Sequence, residues 1–239
     1  MKYAIIAAGE GSRLQQEGIE DPKPLVKIRN EHLIDRLLRI FMDNDAEEIV
    51  VICNDLMPLV SSHLARLQND GLYGRPIPLR FIVKSTPSSM HSFYELSPYL
   101  TGSPFVLTTV DTIFNEKEFA AYVEAFRKSI ADGEDGLMGV TDFIDDEKPL
   151  HVVTDDQLRI TAFLDECNHA HYISGGIYGL TPRVINTLQS CIGRGESRMR
   201  NFQRALVGDG LRLHAWPFTK VLDIDHSSDI AKAETFLSE

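Results

Sequence analysis

Apolar positions in the first 130 residues switch between two periods. Residues 2–8, 48–53, 79–83 and 104–108 are short apolar runs of strand length, rich in Ile, Val and Leu. Between and after them, residues 33–41, 59–67, 90–99 and 116–130 space their apolar side chains as helices do. In residues 33–41, for example, Ile34, Leu37, Leu38 and Phe41 share one face. Ser88 and Ser89 offer an N-cap to the third of these helices. Strands alternating with helices predict a mostly parallel sheet covered on both faces, with ligands gathered beyond the carboxyl ends of the strands.

The second half has a different texture. Residues 136–141, 151–154, 158–163 and 172–180 read as short strands, with Asp155-Asp156-Gln157 as a turn between two of them. Residues 182–191 and 199–207 read as helices, 211–216 and 221–224 as strands, and 229–237 as a closing helix. No repeat, low-complexity tract or linker divides the chain. The expectation is one domain over residues 1–239: a nucleotide-binding half (1–130) followed by an acceptor-binding half (131–239).

Composition narrows the class. With 239 residues the chain has ample length for a packed core. A formal net charge of -11 argues against general affinity for nucleic acid or anionic membranes. No apolar run has the length of a membrane span, and no leader is legible, so the expected location is cytoplasmic. Three scattered cysteines without a CxxC pair suit a reducing compartment. The sequence leaves open whether copies associate as a homo-oligomer.

The first strand runs straight into Ala8-Gly9-Glu10-Gly11-Ser12-Arg13, and Pro22-Lys23-Pro24-Leu25 follows. Glycine lets backbone N–H groups approach phosphate oxygens closely. Arg13 and Lys23 add fixed positive charge, so the stretch suggests a triphosphate site lined by Gly9, Gly11 and Ser12. It lacks the Gly-Lys-Ser/Thr of a P-loop and the third glycine of a dinucleotide fingerprint. Asp111 follows an apolar strand, and Asp223 and Asp225 alternate at the end of another. Facing a phosphate site, two or three such carboxylates suit Mg²⁺. Singly, each of these features is also an ordinary loop, turn or cap residue.

Together they resemble the nucleotidyltransferases that make sugar nucleotides, whose signature looks like Gly9-Glu10-Gly11-Ser12-Arg13 followed by Pro22-Lys23-Pro24-Leu25. Val110-Asp111 matches the family's first metal aspartate, with Val110 in place of the usual glycine. Ser174-Gly175-Gly176-Ile177-Tyr178 looks like its acceptor-side segment, and residues 223–230 like the motif of its second metal aspartate. The resemblance implies a three-layer α/β/α, Rossmann-like (GT-A-like) fold with a small acceptor-side β subregion. It also implies a Mg²⁺-dependent reaction of a nucleoside triphosphate with a small phosphorylated acceptor, most simply a sugar phosphate, releasing pyrophosphate. By that resemblance Arg13 holds the departing phosphates, Lys23 the α-phosphate, and Ala8, Gly9, Ser88 and Ser89 surround base and ribose. Asp111 and Asp223, with Asp225 as a third candidate, hold the metal, and Gly175 and Gly176 line the acceptor side.

The departures point elsewhere within the class. Leu164-Asp165-Glu166 stands where sugar-nucleotide enzymes usually carry Glu-Glu-Lys-Pro, so the lysine expected at the acceptor phosphate is absent. Asp225, a glycine in many sugar enzymes, makes an Asp-Ile-Asp similar to cytidylyltransferases acting on acidic sugars or on phosphocholine, and residues 86–92 look more like the phosphocholine type. A molybdopterin-type nucleotidyltransferase and a non-catalytic nucleotide-binding regulator are further readings, the last opposed by the intact charged residues. Arg198, Arg200 and Lys220 are candidates to clamp the acceptor's phosphate, against a plainer reading of the arginines as a solvated helix face. The alternating His169 and His171, and the acidic run Asp142, Asp145, Asp146 and Glu147, read as polar edge and loop.

Overall fold

In the first strand, alternate side chains serve two different cores. Tyr3, Ile5 and Ala7 face one apolar cluster, and Ala4 and Ile6 face the other. A strand buried on both sides loses the polar alternation of a half-exposed strand, which is why it reads as a continuous apolar run. The computed structural model describes residues 1–145, 148–167 and 170–238; Asp146, Glu147 and His169 lie outside the described residues. In chain order the elements are β1 (Lys2–Ala7), α1 (Ser12–Gln16), β2 (Lys27–Ile28), β3 (Glu31–His32), α2 (Leu33–Asp43), β4 (Glu48–Cys53), α3 (Pro58–Asp70), β5 (Leu79–Val83), α4 (Ser89–Leu96), β6 (Phe105–Thr109), β7 (Thr112–Phe114), α5 (Glu116–Ala131), β8 (Gly136–Thr141), β9 (His151–Thr154), β10 (Ile160–Leu164), β11 (Tyr172–Leu180), α6 (Val184–Gly193), α7 (Met199–Gly208), β12 (Leu213–Phe218), β13 (Val221–Asp223) and α8 (Ser227–Phe236).

Strands β5, β4, β1 and β6 lie side by side in parallel. β11 joins antiparallel to β6, β8 antiparallel to β11, and β12 parallel to β8. β9 pairs with the first residues of β11 and carries β10 at its far side, forming a smaller antiparallel region of the sheet. Helices α2, α3, α5 and α8 supply one core; α4, α6 and α7 supply the other. The three-layer α/β/α expectation therefore holds, with four parallel strands from the first half and one further parallel pair, β8 and β12, in the second.

Two features that the sequence did not announce position the site. After β6 the chain turns at Val110 and Asp111 into β7, whose three residues pair antiparallel with β13, Thr112 opposite Asp223. The backbone of Ile224 also donates to the Asp111 carbonyl at 3.2 Å. This ribbon brings the two acidic segments together from positions more than a hundred residues apart. The second feature is a register shift in β11 between Ser174 and Ile177, centred on Gly175-Gly176. Gly176 has φ +69°, and a Cβ there would lie 3.2 Å from Thr112 Oγ1, so the bulge needs glycine for conformation and for space.

Several boundaries shift for local reasons. The strand expected from residue 158 starts at Ile160, because Leu158 takes φ +61° and Asp155 Oδ1 accepts from the Gln157 and Arg159 backbones to close the turn. The strand expected over 211–216 runs Leu213–Phe218, in register with β8. The closing helix begins two residues early, at Ser227, because Asp229 reaches back to the backbone N–H of His226 at 2.8 Å.

Candidate active site

The loop after β1 forms one wall of a cleft of about 470 Å³ beyond the carboxyl ends of β1, β4 and β6. Ala8, Gly9, Gly11, Ser12 and Arg13 line it, and Ser88 and Ser89 at the start of α4 line the opposite wall. Gly11 has φ +65°, and a Cβ would sit 3.0 Å from Lys23 Cβ. Glycine here lets the loop lie flat against the stem of Lys23. The conformation of the serine loop is set by Thr86, whose hydroxyl meets Ser92 Oγ at 2.6 Å, and by Ser88, whose hydroxyl meets His91 Nδ1 at 2.9 Å.

Four charges meet at the floor. Lys23 donates to Asp111 Oδ2 and, at 2.8 Å, to Asp225 Oδ1, while Arg13 Nη1 reaches Asp225 Oδ2 at 3.0 Å. Burial alone would lower the Lys23 ammonium, but the Asp111 and Asp225 carboxylates outweigh it and hold Lys23 above the ordinary lysine range. The two carboxylates thus favour the charged form of Lys23. A second tie stabilises the Asp225 segment: Glu17, just past α1, accepts from His226 Nδ1 and from the Ser227 backbone, each at 2.6 Å. The His226 and Ser227 hydrogen bonds hold the Glu17 carboxyl at about 2, and Glu17 in turn raises His226. The glycine-loop helix and the α8 N-terminus are thus fastened to each other beside the cleft.

Asp223 takes a different position from Asp225. Ile224 between them is fully buried, and both carboxylates lie on the solvent side, as their spacing predicts. Yet β13 ends at Asp223, and Asp223 lines a neighbouring cleft of about 250 Å³ with Ser174, Gly176, Tyr178, Arg198 and Arg200. Ser89 and Thr109 belong to both clefts, so the two adjoin. Asp111 and Asp223 both act on Tyr178, whose hydroxyl is pushed up to about 12 chiefly by burial. Gly175 and Asp223 also border a third hollow, which Arg13 and Asp225 share.

Of the proposed acceptor clamps, Arg198 and Arg200 stand in the second cleft. Arg198 has φ +71° at the start of α7 and donates its backbone N–H to Ser88 Oγ at 3.2 Å, linking the two clefts. Arg200 pairs with Asp165 Oδ1 at 2.5 Å, and Arg204 with Asp165 Oδ2 at 2.6 Å. Lys220 is not brought here. Its ammonium lies over the rings of Phe143, at 4.4 Å, and Phe236, and it lines neither cleft. Sequence reasoning missed Asn54, which donates to the Ala8 carbonyl at 3.1 Å, and Lys148 and Gln203 on the second cleft. Asn54 sits directly after an apolar strand, the same signal that singled out Asp111.

Two adjoining clefts, one floored by lysine, arginine and aspartates under a glycine loop and the other rimmed by arginines, define an α/β protein built for chemistry between phosphates. The chain belongs to the nucleotidyl transferase family, whose description matches residues 2–239. Among its relatives is the UTP–glucose-1-phosphate uridylyltransferase AglF of Haloferax volcanii, 23% identical over 251 residues, spanning 100% of this chain and 97% of the relative. A mannose-1-phosphate guanyltransferase of Aspergillus oryzae is 26% identical over 197 residues, covering 79% of this chain and 52% of its own length. The solved structure of a Bacillus anthracis protein described as a glucose-1-phosphate thymidylyltransferase superposes with TM-score 0.84 at 18% identity, covering 100% of this chain and 96% of the other, and confirms the fold. Among the described residues no helix is long and apolar enough to cross a membrane.

Proposed function

We propose that this nucleotidyltransferase transfers a nucleoside monophosphate from its triphosphate to a sugar phosphate, releasing pyrophosphate. The observation that carries the reading is the convergence of Lys23, Arg13, Asp111 and Asp225 under the glycine loop, directly beside the arginine-rimmed cleft. The two curated relatives named above are sugar-1-phosphate enzymes, which supports the acceptor class.

Each residue then has a task. The loop at Gly9 and Gly11 admits the triphosphate closely, and Arg13 holds its departing end. Lys23 faces the α-phosphate as negative charge builds on its non-bridging oxygens. A preorganised cation there is worth roughly 3 kcal/mol of barrier. Arg198 and Arg200 seat the acceptor so that its phosphate oxygen attacks the α-phosphorus. One new P–O bond forms, the bond to the β-phosphate oxygen breaks, and pyrophosphate departs. The donor set fits Mg²⁺, because two carboxylates already converge on a single cationic centre at Lys23 Nζ and a third, Asp223, lies at the adjoining cleft. Asp111 with Asp223 and Asp225 would hold the ion, which when bound neutralises phosphate charge.

The test is pyrophosphate release across the four common nucleoside triphosphates, each paired with sugar 1-phosphates and with phosphocholine, with and without Mg²⁺. A sugar 1-phosphate should give the highest kcat/KM. Asp225, at a position that is glycine in many sugar enzymes, favours one rival, the phosphocholine-type cytidylyltransferase; turnover confined to CTP and phosphocholine would establish it. No release with any pair would remove the proposal.

A further inference from the structure

Where β3 runs into α2 and against α3, His32, Asp35 and His63, none of which lines these clefts, form a compact cluster. Their ligand-type atoms all lie within 4.8 Å of one another. His32 Nδ1 is 3.1 Å from Asp35 Oδ2, and His63 Nε2 is 2.6 Å from Asp35 Oδ1, so one carboxylate faces two imidazoles, one oxygen each. The imidazole rings meet edge to face, 5.0 Å between centroids. Asp35 and His63 are buried, and His32 is partly open to solvent. None of the three has a task in the nucleotidyl transfer derived above.

We propose that this cluster is a second metal site, for a borderline divalent cation of the zinc class. Two imidazoles and one carboxylate are a donor set that suits Zn²⁺ and disfavours Mg²⁺, which prefers oxygen and water. A tetrahedral ion with bonds near 2.0–2.1 Å sets its ligand atoms about 3.3 Å apart. To reach that spacing from 3.1 and 2.6 Å, the His32 contact opens by about 0.2 Å and the His63 contact by about 0.7 Å, a shift that side-chain rotation supplies. The open side at His32 leaves a fourth position to solvent.

The cluster is held by hydrogen bonds, and their pattern fixes what a bound metal must change. Arg66 Nη2 donates to His63 Nδ1 at 3.0 Å, so His63 carries its proton on Nε2, toward Asp35. Binding through Nε2 moves that proton to Nδ1, where it meets the Arg66 donor. Arg66 is exposed and can turn to water, so it competes with the metal without blocking it. The cluster also bears on the first cleft through the backbone. His32 pairs with Lys27 in the β2–β3 hairpin, and Leu33 N donates to the carbonyl of Val26, the residue directly after the turn Lys23–Leu25, at 2.9 Å. A metal joining His32 to His63 would brace against α3 the segment that carries Lys23.

The experiment is equilibrium dialysis of the chelator-treated protein against Zn²⁺, with Co²⁺ absorption as the probe of geometry. One Zn²⁺ per chain is expected, with a visible tetrahedral Co²⁺ band and a raised melting temperature. His32→Gln and His63→Gln should each weaken uptake at least ~10-fold. Asp111→Asn should retain it, which separates this site from the proposed Mg²⁺ site. Arg66→Gln should bind as tightly as the parent or more so. Absence of stoichiometric Zn²⁺ uptake by the parent, uptake unchanged in both histidine variants, or weaker uptake in Arg66→Gln would each overturn the proposal. His32→Gln alters the most open ligand, so a circular dichroism spectrum matching the parent keeps its result interpretable.

Discussion

Lys23 has two roles that mutation can separate. With nucleotide present it meets developing charge, so Lys23→Ala should lower turnover at least ~100-fold with the far-UV circular dichroism spectrum unchanged. With nucleotide absent it is the counter-cation of Asp111 and Asp225, with an Nζ–Oδ1 distance of 2.8 Å to the latter. The same variant should therefore bind Mn²⁺ alone more tightly than the parent, as read by electron paramagnetic resonance. Near-parental turnover would remove Lys23 from the mechanism. The aspartates divide similarly. Asp111→Ala and Asp223→Ala should each abolish Mg²⁺-dependent pyrophosphate release, whereas Asp225→Ala should retain a measurable rate if the acceptor is a sugar phosphate. Asp223 borders the acceptor cleft, and Asp225 is engaged by Lys23 and Arg13. Normal Mg²⁺ dependence in the Asp111 and Asp223 variants would displace the proposed metal site. At this scale the sequence was informative, because a glycine loop and charged residues after strands are local signals. The position of the Lys220 ammonium was not legible, because only tertiary packing brings the rings of Phe143 and Phe236 beneath it.

The elements that position the site are short, and short elements are what the pattern of apolar residues conveys least. β7 and β13 have three residues each, too few for a period to declare itself, yet their pairing sets Asp111 beside Asp223. The β11 bulge is similarly small. Gly176→Ala would place a Cβ 3.2 Å from Thr112 Oγ1 at φ +69°. We expect a loss of about 1–2 kcal/mol in urea unfolding and a raised acceptor KM, since Gly176 lines that cleft; unchanged stability would show that the bulge tolerates a side chain. The junction of α1 and α8 predicts a pH window. Glu17 is held near 2 against an ordinary 4.5, so its contribution is present above 4.5 and fades as pH falls toward 2. His226 is raised above its ordinary 6.5, so its contribution is present below 6.5 and fades as pH climbs through the raised value. The melting-temperature difference between the parent and Glu17→Gln should therefore be largest between about pH 4.5 and 6.5. A difference that grows above pH 8 would contradict the pairing.

For the molecule as a whole, the alternating strands and helices of the first half were read closely from sequence, because a parallel sheet covered on both faces yields uninterrupted apolar runs. The second half was harder. Its strands were found, but nothing local states that β11 crosses back to lie against β6, or that β12 returns parallel to β8. Those pairings join residues far apart in the chain and depend on the entire sheet being assembled.

The position of β11 has a consequence for how the molecule can come apart. One of its edges pairs with β6 and the other with β8, so the strands before residue 130 and those after it meet at a strand that both groups require. A chain cut after residue 130 would leave β6 with a bare row of backbone donors and acceptors flanked by apolar side chains, a surface prone to pair with other copies. Expressed alone, residues 1–130 should precipitate or form oligomers on size exclusion, and the intact chain should lose both clefts in one thermal transition. The second cleft can be reshaped locally through α7, whose Met199, Arg200 and Gln203 line it, but the two parts of the chain cannot be traded as modules.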